Sequence, residues 1–99
     1  MSRVLVIDDE LSIREFLSIL LQGEGLEVST AATGEEGIEA LKSGDFDLVI
    51  TDLKMARLSG MDVLQAAKSH DPSLQVIVIT AFGTTETAVL AMKEGASDY

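Results

Sequence analysis

Three carboxylates and one hydroxyl stand where this sequence could do chemistry. Asp52 ends the run Asp47-Leu48-Val49-Ile50-Thr51, an apolar climb that stops on an acid. Asp8 and Asp9 follow Arg3-Val4-Leu5-Val6-Ile7 in the same way, and Thr80 follows Gln75-Val76-Ile77-Val78-Ile79. Short apolar, β-branched runs of this kind read as buried strands of a parallel sheet, whose two faces are both covered by helices. Each run delivers its last residue to the carboxyl edge of the sheet, where open α/β sheets bind ligands. If the first and third strands are neighbours, the three acids lie close enough to repel and raise one another's pKa unless a cation joins them. Carboxylates and backbone carbonyls are hard oxygen ligands, suited to Mg²⁺ with retained waters. The Thr80 hydroxyl can donate to a phosphoryl oxygen, and the set as a whole suits acceptance of a phosphoryl group by Asp52. Taken alone, Asp8 and Asp9 read equally well as acids at a helix start, and Thr80 as a cap or turn residue. Asp52 tips the balance.

The elements that must position these groups alternate along the chain. After the first strand, Ile13, Phe16, Leu17, Leu20 and Leu21 recur at helical spacing and form one apolar face. Gly23 and Gly25 close that helix. A second strand covers Leu26 to Ala31, with Leu26, Val28 and Thr30 alternating against polar neighbours. Thr33-Gly34-Glu35-Glu36 has the spacing of a capping box, with Thr33 as N-cap, opening a helix that ends near Ser43-Gly44. The third strand and Asp52 follow, then a loop from Leu53 to Ser59 and a helix with Val63, Leu64 and Ala67 on one face. Asp71-Pro72-Ser73 makes a turn into the fourth strand, Gln75 to Thr80. A helix from about Thr84 to Glu94 closes at Gly95, and Ser97-Asp98-Tyr99 opens a fifth strand. Strand and helix in turn, at roughly 25-residue spacing, predict a parallel sheet with right-handed crossovers.

Composition bounds the function. The 99 residues allow one small domain, 1–99, with a single core. There is no cysteine, which excludes disulfides, thiolate chemistry and cysteine-based metal sites. No stretch approaches the roughly 18 apolar residues of a membrane span, and the start lacks a signal peptide's apolar stretch, so a cytoplasmic location is expected. The net charge of -10 opposes direct nucleic-acid binding.

Val-Leu-Val-Ile-Asp8-Asp9-Glu, Asp-Leu-Val-Ile-Thr-Asp52-Leu-Lys-Met and Val-Ile-Thr80-Ala-Phe-Gly together resemble the receiver domain of bacterial two-component response regulators. The tail from Ala81 through Tyr99 is most similar to receivers of the NtrC type. The resemblance implies a CheY-like, flavodoxin-like α/β fold, a doubly wound parallel sheet of order 2-1-3-4-5, here with an incomplete fifth strand and no last helix. It implies that Asp52 is the phosphoacceptor, charged by a sensor histidine kinase. Asp8 and Asp9 match the acidic pair that holds Mg²⁺, Asp9 directly and Asp8 through water, with the backbone carbonyl of Lys54 as a further ligand. Thr80 matches the switch hydroxyl and Tyr99 the switch aromatic. Lys54 and Phe82 match the positions that flank the water which later hydrolyses the acyl phosphate. The expected activity is signalling rather than classical enzyme catalysis, passed to output domains that regulate transcription in the full-length protein. Two departures stand out: the family's fifth-strand lysine would lie three residues beyond Tyr99, and Ala56 replaces the usual proline.

Other readings fit less well. An aspartyl-phosphate phosphatase needs a second acid two residues after its nucleophile, and position 54 is Lys. A flavin binder needs hydroxyls and glycines after the first strand, where this chain has Asp-Asp-Glu. A receiver-derived interaction module without phosphotransfer would follow from the missing lysine. Apolar surface left where a last helix should pack predicts a homodimer or other self-association. His70, beside Asp71, reads as a solvated loop residue, and Met55, Met61 and Met92 as packing or loop residues.

Overall fold

The computed structural model describes residues 2–52, 59–79 and 95–96. Four strands, β1 (Arg3–Ile7), β2 (Glu27–Ala31), β3 (Leu48–Asp52) and β4 (Gln75–Ile79), alternate with helices α1 (Leu11–Gly23), α2 (Gly34–Ser43) and α3 (Gly60–His70). The strands form one sheet of order β2-β1-β3-β4, with every pairing parallel. That order agrees with the expected doubly wound sheet over its first four strands. The expected fourth helix and fifth strand, with Thr80, Phe82 and Tyr99, lie outside the described residues, as does the loop holding Lys54 and Ala56.

Alternation along the strands divides the core in two. Leu5, Ile7, Val49, Val76 and Val78 pack with Leu41 of α2 and Val63, Leu64 and Ala67 of α3. Val4, Val6 and Ile50 point the other way, against Leu17 and Leu21 of α1. β1 and β3 are therefore apolar on both sides, as a covered central strand must be. β2 lies at one end of this sheet, and its expected inward alternation is only partly realised. Val28 is half-buried and Thr30 is exposed, while Leu26 precedes the strand.

The helix ends follow from local chemistry. At the end of α1 the Leu26 amide donates to the Leu21 carbonyl (3.2 Å) and the Gly25 amide to the Gln22 carbonyl (3.0 Å). This is a Schellman motif, which requires a left-handed residue between helix and strand. Gly25 supplies it, at φ 84°. Thr33 caps α2 as expected, its Oγ1 accepting from the Glu36 amide at 3.1 Å. The returning arm is displaced by one residue: Glu36 Oε2 accepts from the Ala32 amide rather than that of Thr33. A full capping box opens α3, where Ser59 and Asp62 each accept from the other's backbone amide. It escaped the sequence reading because Asp, not Glu or Gln, holds the third helical position.

The apolar face expected on α1 is wider than the face that packs. Leu17 and Leu21 reach the sheet, but Phe16 and Leu20 of that face are 62% and 51% exposed, and Ile19, outside it, is 73% exposed. On the opposite layer, α2 lies so close to β1 that a Cβ on Gly37 would collide with the Ile7 side chain. No helix among the described residues is long and apolar enough to cross a membrane.

Candidate functional site

Sheet register brings the acids together. Ile7 is level with Thr51 across β1 and β3, so the next residues, Asp8 and Asp52, leave adjacent strands side by side. Adjacent strands lie about 5 Å apart. Period-two alternation continues Val4 and Val6 into Asp8, and Ile50 into Asp52, so both carboxylates follow the α1-side face of the sheet. Asp9, one residue further on, completes the set. Each of the three residues has a carboxylate oxygen within 4.8 Å of the other two. The strand-end acids singled out by sequence thus meet at the carboxyl edge, while Thr80, Lys54 and Tyr99 lie outside the described residues.

Asp8 is the fixed point of the group. Only 4% of its surface is exposed. Its amide donates to the Ala31 carbonyl of β2 at 3.1 Å. Its Oδ1 accepts from the Glu10 amide at 2.9 Å, and its backbone carbonyl accepts from Arg14 Nη1 at 2.7 Å. Asp52 is half-buried and Asp9 is exposed. Thr51, wholly buried between Ile50 and Asp52, keeps its hydroxyl satisfied by donating to the Asp52 carbonyl at 3.1 Å.

The capping alternative for the acidic pair fails. Glu10 is the N-cap of α1, no side chain caps that terminus, and its first turn holds no acid. The bond that Asp8 accepts comes from Glu10 itself, upstream of the orphan helix amides. The pair turns toward Asp52 instead.

Electrostatics agree with that placement. Burial holds the Asp8 carboxyl above the ordinary carboxylate range, against the pull of the Glu10 amide; the charges of Asp52 and Asp9 push it further the same way. An acid whose pKa is higher folded than unfolded binds more protons folded. Its ionisation therefore erodes stability as pH rises from about 4, the unfolded value, through the folded one. In chelator, the melting-temperature advantage of Asp8→Asn over the parent is expected to grow across that window and level off above it. A pH-independent difference between the two would contradict this assignment.

Three hard oxygen donors converging within 4.8 Å fit a divalent ion of the Mg²⁺ class, with water filling the remaining positions. Sequence reasoning missed Arg14. In the sequence it is one base on an amphipathic helix, and only the turn at Asp8–Glu10 brings it back onto the site. Other features lie elsewhere. His70 is exposed at the opposite edge of the sheet, where a cleft of about 220 Å³ runs between Asp45, Asp47, Asp71 and Leu74. Met61 packs half-buried against the α2–α3 core.

Comparison with known proteins places this geometry. Residues 4–99 match the profile of the response regulator receiver domain. The transcriptional regulatory protein ZraR of Klebsiella oxytoca is 40% identical over 96 residues, which are 97% of this chain and 22% of that protein. The chain thus spans about a fifth of the length of the curated relatives it matches. A response regulator receiver domain protein from Clostridium thermocellum superposes with a TM-score of 0.94 at 44% identity, covering 100% of this chain and 80% of the other. The response regulator TrrA of Thermotoga maritima, solved in complex with Mg²⁺ and BeF, gives a TM-score of 0.90 at 38% identity, covering 100% and 84%.

Proposed function

Because the chain belongs to the response regulator receiver domain family, we propose that it is a phosphoacceptor in two-component signalling, with Asp52 as the residue that takes the phosphoryl group. One observation carries this reading: carboxylate oxygens of Asp8, Asp9 and Asp52 lie within 4.8 Å of one another at the carboxyl edge of the sheet. Asp8, Asp9 and Asp52 would hold Mg²⁺, joined by the backbone carbonyl of Lys54. When bound, the ion offsets repulsion among the acids and the charge on a phosphoryl group's equatorial oxygens.

The residues themselves do the rest. A carboxylate oxygen of Asp52 attacks phosphorus in line, on a phosphohistidine presented by a sensor kinase. The new O–P bond forms as the N–P bond breaks, and the imidazole nitrogen leaves with the electron pair and takes a proton from solvent. Asp8, held by its three bonds, keeps the edge of the site rigid, so that positioning rather than covalent chemistry supplies most of the acceleration. Thr80 donates to the transferred group, and Thr80 and Tyr99 then shift the population between two surfaces read by the output domains. In a full-length protein such as ZraR the output is transcriptional regulation, and the same role is proposed here. The setting is cytoplasmic, without direct nucleic-acid or membrane contact by this domain. Self-association completes the proposal, with Phe16, Ile19 and Leu20 of α1 as exposed apolar surface available to it.

The test is intact mass after incubation with acetyl phosphate. One phosphoryl group gained with Mg²⁺, and none gained in chelator, is the expected result. No gain under either condition would overturn the proposal.

A further inference from the structure

We infer that Arg14 is a positioning residue of the carboxylate site, holding the turn that aims Asp9; the inference rests on the divalent-cation reading above. Arg14 Nη1 donates to the Asp8 carbonyl at 2.7 Å, a short, charge-assisted bond in a part-buried setting. The Asp8 carbonyl and the Asp9 amide share one planar peptide unit. Fixing that carbonyl therefore fixes the plane from which Asp9 departs. Asp8 is already tied by its amide to Ala31 and by its carboxylate to Glu10. Asp9 is exposed, so its direction depends on the backbone on either side of it.

Two further observations mark Arg14 as more than a surface base. Its own amide donates to the Glu10 carbonyl at 3.2 Å, which puts it at the start of α1. The helix dipole disfavours a cation there. The ion pairs found among the described residues join Arg3 to Glu27 and Lys42 to Glu39, and neither uses Arg14. Among the described residues the guanidinium is thus committed to one carbonyl, at the turn that carries two of the three acids.

Positioning and plain electrostatics have opposite signs here, which makes the role testable. As a nearby positive charge, Arg14 repels a second cation, so on Coulombic grounds its loss should tighten Mg²⁺ binding. As the anchor of the Asp9 turn, its loss should weaken binding. Residues that orient ligands from behind are worth about 10- to 100-fold in metal affinity.

The experiment is calorimetric titration of Mg²⁺ into the parent, Arg14→Met, Arg14→Gln and Arg14→Lys, with metal-free melting temperatures recorded beside it. Arg14→Met and Arg14→Gln, one apolar and one too short to reach, are both expected to weaken binding by about tenfold. Arg14→Lys, with a donor of sufficient reach, is expected to recover most of the loss. Unchanged or tighter binding in Arg14→Met and Arg14→Gln overturns the inference, as does a loss that Arg14→Lys fails to recover. A parent that takes up no Mg²⁺ overturns the carboxylate-site reading and this inference with it. A parent that binds while the variants bind equally well overturns this inference alone.

Discussion

Asp52→Asn is expected to gain no phosphoryl group from acetyl phosphate and Mg²⁺ under conditions that modify the parent. The substitution keeps the shape of the side chain and replaces a carboxylate oxygen with an amide nitrogen, which is not a nucleophile at neutral pH. Its second effect runs in the opposite direction to damage. One of three mutually repelling charges disappears, and Asp52 is one of the charges that hold the Asp8 carboxyl up. The Asp8 pKa is therefore expected to fall in the variant, read by carboxyl resonances during a pH titration. The variant should also melt no lower than the parent in chelator. Loss of phosphorylation together with retained stability separates a missing nucleophile from a misfolded site. A variant still modified at full stoichiometry would move the acceptor to another acid and overturn the assignment.

The second large effect lies in the core. Leu64 on α3 is fully buried, in the cluster that joins Leu5, Ile7, Val49, Val76 and Val78. Leu64→Ala is expected to destabilise the domain by about 2–5 kcal/mol, the range for a buried leucine that leaves a cavity. At roughly 4–8 °C per kcal/mol for a domain of this size, the melting temperature should fall by about 8 °C or more. Leu11→Ala is the control, since Leu11 is 59% exposed. Surface substitutions of that kind stay near ±0.5 kcal/mol. Thermal unfolding of the pair would show whether burial or residue type governs the loss; similar shifts for both would contradict the packing described.

Strand ends were the most legible part of the chain. An apolar run that stops on an acid can be read directly, because the residues that fill a two-sided core and the residue that leaves it differ so sharply in polarity. The four strands and three helices of the described residues followed from that punctuation and from glycine and serine at the breaks. Neighbour relations were less legible. Nothing within Arg3–Ile7 says that it lies between β2 and β3, since that depends on crossovers far outside the strand itself; the order came from family resemblance, and the structure bears it out over four strands. Faces were legible only in part. Phe16 and Leu20 share the helical stripe of Leu17 and Leu21, yet periodicity cannot say how wide a strip of sheet the helix will cover. Arg14 was illegible altogether. Its partner is a backbone carbonyl, and a carbonyl has no letter in the sequence.

The order β2-β1-β3-β4 also sets a schedule. Val4 pairs with Leu48, so one flank of β1 has no partner until about 44 further residues have been made. At roughly 5–20 residues per second, synthesis takes between about two and nine seconds to supply that partner. During that time Val4, Leu5, Val6 and Ile7, all buried in the finished domain, are the end of an unfinished sheet. An open apolar strand edge is a template for pairing with other chains. The strand that delivers Asp8 to the site is thus one that a nascent chain has need to shield.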